Sequence, residues 1–313
     1  MSLDVLTIGE ALVEVMRTDV DQPLDRPGSF VGPYPSGAPF IFAVQCARLG
    51  MRAAAIGSVG RDAFGACLLG QLQADGVETS GLRQLDDYTT GVAFVGYQAD
   101  GSRSFVFSLG AGGQLSPEML QAELFEHLRC FHVMGSTLSM SQAALEVCLL
   151  ALSLALQQGA LISFDPNLRP ELLPPAQARV VFQPFIEAAD ILLPTEAELL
   201  LLTDEPSLER AVSQLLSQQP KRMIVVTRGD AGCSVFTAAG RVDVAGYAVA
   251  EVDPTGAGDC FDAGFLAAIL KGRTAVDAAR FANACGALAV SEKGPMAGAK
   301  GQSEIERFMR TAK

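Results

Sequence analysis

Short apolar or β-branched runs alternate along the chain with longer stretches of helical periodicity. Residues 3–8, 53–56, 130–134, 161–164, 191–193 and 223–227 predict strands. Between them, 38–49, 63–75, 142–157, 175–189, 196–202 and 208–218 predict helices. Several strand runs are apolar on both faces, as a parallel sheet covered by helices on either side requires. The pattern therefore predicts an α/β fold, doubly wound, with helices on both faces of a mostly parallel sheet.

Two stretches break the rhythm. Residues 12–35 are rich in Pro, Gly and Asp, and within 88–107 the runs 92–97 and 102–107 resemble a hairpin around Ala99-Asp100-Gly101. They pair as a small β lid or remain ordinary surface loops, and composition does not separate the two readings. No internal repeat, low-complexity tract or linker divides the chain, so 1–313 is expected to be a single domain with the lid inserted at about 12–35 and 88–107.

Composition narrows the partners. At 313 residues and 49% hydrophobic, the chain can bury a substantial core. With 23 Lys and Arg against 35 Asp and Glu, its net charge of −12 repels nucleic-acid backbones and anionic membranes, so neither is an expected partner. An anionic ligand must then be held locally, by backbone amides, a metal ion or a few placed cations. Seven scattered cysteines with no close CxxC pair fit a reducing compartment. The start MSLDVLTIGEALVEV has no basic segment leading into a long apolar run, and the apolar run 148–156 is too short to span a bilayer. The expectation is a soluble cytoplasmic protein. Only His127 and His132 exist, which leaves little material for a zinc site or a histidine-based triad.

The strongest chemical signal is Asp253-Pro254-Thr255-Gly256-Ala257-Gly258-Asp259, which precedes a helix predicted over 260–270. Two glycines and an alanine leave the backbone bare, so consecutive amides at a helix N-terminus can surround an anionic oxygen. Asp259 lies beside them, where phosphoryl transfer needs a carboxylate for the acceptor hydroxyl. A glycine turn with an acid favoured by the helix dipole is the competing reading. No GxxxxGK[ST] occurs, and residues 57–65 do not have GxGxxG spacing.

This segment resembles the C-terminal signature, usually DTxGAGD, of the PfkB or ribokinase-like carbohydrate kinase family, with Pro254 in place of Thr. The resemblance extends through Gly9-Glu10, Ser36-Gly37-Ala38-Pro39, Gly57-Ser58-Val59-Gly60-Arg61-Asp62-Ala63-Phe64-Gly65, Asp165-Pro166-Asn167-Leu168-Arg169 and Val226-Thr227-Arg228-Gly229. It implies a β lid over a sugar, and ATP with Mg2+ along the C-terminal half. By position it makes Asp259 the base, with Gly256, Ala257 and Gly258 forming the anion hole. It assigns Glu10, Gly37, Phe107 and Arg169, with Asp259, to the sugar. Asn167, Thr227, Gly229, Gly232 and Asn283, with Gly256 and Gly258, are assigned to ATP. Glu198 would hold magnesium through water. Asp253 is either a helix-entry residue or part of a turn for a monovalent ion such as K+, as in some relatives.

Three departures bear on specificity and on magnesium binding. In the N-terminal signature, often GGxxxN, Ser36 replaces the first Gly and Ile41 the Asn, and in the NxxE pattern Thr195 replaces the Asn. The segments after the first strand and around Asn167 are most similar to the fructokinase and 2-keto-3-deoxygluconate kinase branches. Fructose is the first expectation, because Phe105-Val106-Phe107-Ser108-Leu109 lacks the Arg often seen after the lid strand in both branches, although Arg103 and Arg169 remain candidate partners for a keto acid. A nucleoside kinase, a catalytically silent sensor and a homodimer formed through the lid are the remaining readings.

Overall fold

The computed structural model describes residues 2–99 and 102–312, so Asp100 and Gly101 of the expected hairpin turn lie outside the described residues. The chain opens with β1 (Val5–Ile8), β2 (Leu12–Arg17), β3 (Phe30–Ser36), α1 (Ala38–Arg48), β4 (Ala53–Gly60), α2 (Ala63–Ala74), β5 (Leu82–Leu85), β6 (Gly91–Tyr97) and β7 (Arg103–Ser108). Next come α3 (Ala122–Phe125), β8 (Cys130–Met134), α4 (Gly135–Leu138), α5 (Gln142–Gln157), β9 (Leu161–Asp165), α6 (Pro175–Ala188), β10 (Ile191–Leu192), α7 (Glu196–Thr203) and α8 (Leu208–Gln218). The C-terminal part adds β11 (Met223–Thr227), β12 (Cys233–Thr237), β13 (Gly240–Val244), α9 (Ala257–Leu270), α10 (Ala275–Ala289) and α11 (Gln302–Thr311).

A nine-stranded sheet runs β13-β12-β11-β10-β9-β8-β1-β4-β5, parallel from β11 to β5 and antiparallel at the β12–β13 edge. Strand β1, between β8 and β4, is covered on both faces: Val5 enters one core, while Leu6 and Ile8 enter the other. Helices α1, α9 and α10 cover the first face, and α5, α6 and α8 the second. Helix α5 shows why. Ser141 caps it by accepting from the Ala144 N–H at 3.1 Å, and Ala144, Val147, Cys148, Ala151, Leu152 and Ala155 form one buried stripe at helical spacing. Full burial of a Val or Leu side chain in that stripe contributes about 1.5–3 kcal/mol relative to exposure.

The segments 12–35 and 88–107 form a second, four-stranded sheet, β3-β2-β6-β7. It is a lid built from two antiparallel pairs joined by the parallel pairing of β2 with β6, Leu12 opposite Gly91. Two expectations need correction. Strand β4 runs to Gly60 rather than ending at residue 56, because Gly57 through Gly60 pair with β5. Helix α9 starts at Ala257, not at 260, with Gly256 as its N-cap in the left-handed region (φ 83°). The β12–β13 edge also formed no part of the strand pattern read from sequence. All seven cysteines are free, and six are buried. Among the described residues no helix is long and apolar enough to cross a membrane.

Candidate active site

The parallel strands all point their carboxyl ends toward one crevice, where ligands of open α/β sheets bind. Glu10 follows β1, Asp165 ends β9, Thr195 follows β10 and Thr227 ends β11, and all four line a cavity of about 300 Å3. The lid supplies the opposite wall. Leu12 and Glu14 on β2, and Phe105 and Phe107 on β7, share a face through two-residue spacing and line the same cavity. The Phe105 and Phe107 rings lie nearly parallel, 5.5 Å apart.

Asp259 sits in the first turn of α9, 6% exposed, on the cavity floor. The turn before it depends on glycine. Gly256 has positive φ, and a Cβ there would come within 2.5 Å of the Pro295 carbonyl oxygen. Gly258 differs, because a Cβ on it would meet nothing within 4 Å, so its face is open to the cavity. Neither the Gly258 nor the Asp259 N–H has an acceptor among the described residues. Two bare amides, the positive end of a helix and an open glycine face together make a cradle for a phosphoryl group.

Asn167 connects the floor. It adopts the left-handed region (φ 33°), donates through Nδ2 to Asp165 Oδ2 at 3.0 Å, and reaches Asp259 Oδ1 at 3.5 Å. Burial, then the charge of Asp165, pushes the Asp259 carboxyl well above the usual carboxylate range, and the Arg169 guanidinium opposes them. Burial and the Glu198 charge likewise raise Asp165. Glu10 accepts from the Ser136 and Thr137 hydroxyls, each at 2.7 Å, yet burial still raises it. Glu14 accepts from the Ser36 hydroxyl at 2.6 Å through Oε1, while its buried Oε2 has no partner among the described residues; burial pushes it up to about 7.

Residues 2–300 match the pfkB family carbohydrate kinase profile. The chain belongs to the pfkB family. This pfkB kinase is 34% identical to Fructokinase-1 of Oryza sativa subsp. japonica, over 98% of each chain. A putative Ribokinase II from E. coli, solved in complex with ATP and Mg2+, superposes with a TM-score of 0.92 at 41% identity, covering 98% of this chain and 99% of that one. A double-mutant fructokinase from Vibrio cholerae O395, bound to fructose, ADP and potassium, superposes with a TM-score of 0.86 at 29% identity, covering 98% and 99%.

Of the residues assigned from sequence, the pfkB fold brings Glu10, Gly37, Phe107, Asn167, Arg169, Glu198, Thr227, Gly256, Ala257, Gly258 and Asp259 to one cavity. Gly37 is required there, because a Cβ would sit 2.1 Å from the Glu10 carbonyl oxygen. Gly229, Gly232 and Asn283 stand outside the cavity lining. Asn283 donates to the Val244 and Ala245 carbonyls at 3.2 and 3.0 Å, and a Cβ on Gly232 would strike the Val244 oxygen, so both brace the exit from β13.

Asp253 also lies outside the lining. It is 1% exposed and accepts from the Thr255 and Gly294 N–H groups at 3.0 and 2.9 Å and from the Tyr97 hydroxyl of the lid at 3.2 Å. Both Glu198 oxygens accept hydrogen bonds, Oε1 from Leu168 N–H and Oε2 from Thr195, so the carboxylate also serves as the capping box of α7. Among the described residues no three acids, cysteines or histidines are arranged to hold a metal directly. Glu198 lines the cavity, and a carboxylate has lone pairs beyond these hydrogen bonds, so its chemistry fits contact with a hydrated magnesium through water.

Sequence reasoning gave no role to Glu14, Asp165, Ser136 or Asp262, all of which line the cavity. Two-residue spacing from Leu12 marks Glu14, and three-residue spacing from Asp259 marks Asp262. Ser136 carries no comparable local signal.

Proposed function

We propose that this kinase transfers the γ-phosphate of Mg·ATP to a hydroxyl of fructose, with Asp259 as the general base. The observation that carries the reading is the placement of Asp259 beside the open amide cradle of α9, facing the lid across one cavity. The likeness to the rice fructokinase and to the fructose-bound Vibrio cholerae enzyme supports the sugar.

In this mechanism the sugar lies between the lid face of Glu14, Phe105 and Phe107 and the floor formed by Glu10, Gly37 and Asp259. The acceptor oxygen forms a bond to the γ-phosphorus as the bond to the ADP oxygen breaks, and its proton passes to the Asp259 carboxylate. The Gly258 and Asp259 amides take the phosphoryl oxygens, where fixed donors stabilise the redistributed charge. Magnesium, when bound, neutralises phosphate charge, and Glu198 orients its water shell. Thr227 borders the nucleotide. The lid wall excludes water, so the phosphoryl group meets the sugar rather than solvent.

Arg103 and Arg169 both line the cavity, an arrangement that favours a second reading: a keto-acid sugar whose carboxylate they pair. Sugar-dependent ADP release, measured in parallel on fructose, 2-keto-3-deoxygluconate, ribose and adenosine, separates the readings. The highest kcat/KM on fructose supports the proposal, and preference for the keto acid replaces it with the second reading. The lid segments expose Val20, Phe30 and Val106, with Val106 alternating away from the cavity face of Phe105 and Phe107, which supports a homodimer through the lid. Sedimentation of the wild type and of Val106→Glu, which is expected to yield monomers, tests that assembly.

A further inference from the structure

Asp262 stands three residues beyond Asp259 on α9, 2% exposed, at the edge of the same cavity. Its carboxyl lies within hydrogen-bonding reach of the Asp165 carboxyl. Two carboxylates have only acceptors to offer one another, so such a contact requires a proton on one of them.

The surroundings decide which one. Asp165 accepts from Asn167 twice, from N–H and from Nδ2, each at 3.0 Å, and such donors favour its anion. Among the described residues Asp262 has no comparable donor. Its Oδ2 has no hydrogen-bond partner among them and lies 3.8 Å from His132 Nε2, which also has none. Burial pushes His132 down to about 3, so the imidazole, stacked on Phe42 at 4.0 Å, brings no positive charge. Asp259 and Cys260 on its own helix, Glu198 on α7 and Cys46 on α1 also act on Asp262 and bring no positive charge, while the Arg169 guanidinium, which lines the same cavity, acts on Asp165 and Asp259 and favours their anions. Burial first, then the Asp165 and Asp259 charges, raise Asp262 well above the carboxylate range.

We propose that Asp262 is a positioning residue: as a neutral acid it donates a hydrogen bond to Asp165 and thereby fixes the Asp165–Asn167 arm against Asp259. Asn167 Nδ2 is shared between Asp165 and Asp259, so an Asp165 that is free to turn takes Asn167 with it and leaves the base unaligned. The role rests on the reading of Asp259 as the base.

Two variants and a spectrum test it. Asp262→Ala removes the donor, and loss of a hydrogen bond to a charged group lowers kcat about tenfold to a hundredfold, with KM for ATP little changed. Asp262→Asn keeps a neutral donor of the same shape and is expected to recover most of that loss. Full kcat in Asp262→Ala, or an Asn variant as slow as the Ala variant, would overturn the role. The third readout needs no turnover and stays valid if the assignment of substrate or base fails. The infrared difference spectrum of ligand-free wild type minus Asp262→Asn at neutral pH should show loss of a protonated carboxyl C=O band. Loss of a carboxylate band instead would contradict the proposal.

Discussion

Asn167 holds its Nδ2 3.5 Å from Asp259 Oδ1 while accepting a left-handed backbone at φ 33°. A non-glycine residue in that region costs about 1–3 kcal/mol, and such strain gathers at functional sites. Asn167→Gly retains the backbone conformation and deletes the amide. Its expected effect is a kcat lowered about tenfold or more, since the lost bonds are to charged groups, while relief of the backbone strain offsets part of their loss in thermal stability. Melting curves and steady-state kinetics on the same preparation check it, and an unchanged kcat would remove Asn167 from the alignment of the base.

Gly258 offers a test in which stability and activity move in opposite directions. A methyl group there meets no atom within 4 Å, and within a helix Ala is favoured over Gly by up to about 1 kcal/mol. Gly258→Ala is therefore expected to melt at or above the wild-type temperature. The same methyl occupies the space where a phosphoryl oxygen approaches the bare amides, so kcat/KM for ATP falls. A variant that is both stable and fully active would show that the cradle lies elsewhere.

The pH dependence follows from Arg169. Asp259 must be ionised to accept a proton, and burial raises its carboxyl, so turnover rises with pH along an acid limb above the ordinary carboxylate range. Arg169 favours the anion. Arg169→Met removes that help, so the acid limb of kcat moves to higher pH. A limb that stays in place or moves down would mean that a group other than Asp259 controls it.

Away from the site, Asp4 binds Arg52 and Arg129 across the start of β1. Burial opposes ionisation, but the Arg52 hydrogen bonds, then that of Arg129, bring the carboxyl down to about 2. A folded-state value below that of the unfolded chain gives stability that is complete above about pH 5 and is lost as pH falls toward the folded value. Because both arginines are about half exposed, Asp4→Asn is expected to cost about 1–2 kcal/mol at pH 7. Urea titrations at pH 7 and pH 3 should show that difference shrinking at the lower pH.

The fold was legible wherever an element's apolar pattern comes from its own neighbours in sequence. The core strands, buried on both faces, and α5, with its Ser141 cap, are written in local periodicity. The β12–β13 edge and the extension of β4 were not, because both depend on partners that only the folded sheet supplies. The same division runs through the site. Gly256, Gly258 and Asp259 form one contiguous turn and could be read together. Glu14, Asp165 and Asp262 come from a lid strand, a core strand and a helix, and what they share is the burial and mutual charge created when those elements meet. Asn283 shows another limit: the resemblance assigned it to ATP, and only the folded chain reveals that its amide donates to the Val244 and Ala245 carbonyls.

Asp259→Asn tests the central assignment most directly. The substitution preserves size and removes the proton acceptor, so ADP release with saturating fructose and Mg·ATP should fall by about 10²-fold or more while ATP binding, read by calorimetry, persists. Turnover at the wild-type rate in a folded Asp259→Asn protein would contradict the account and move the base to another carboxylate.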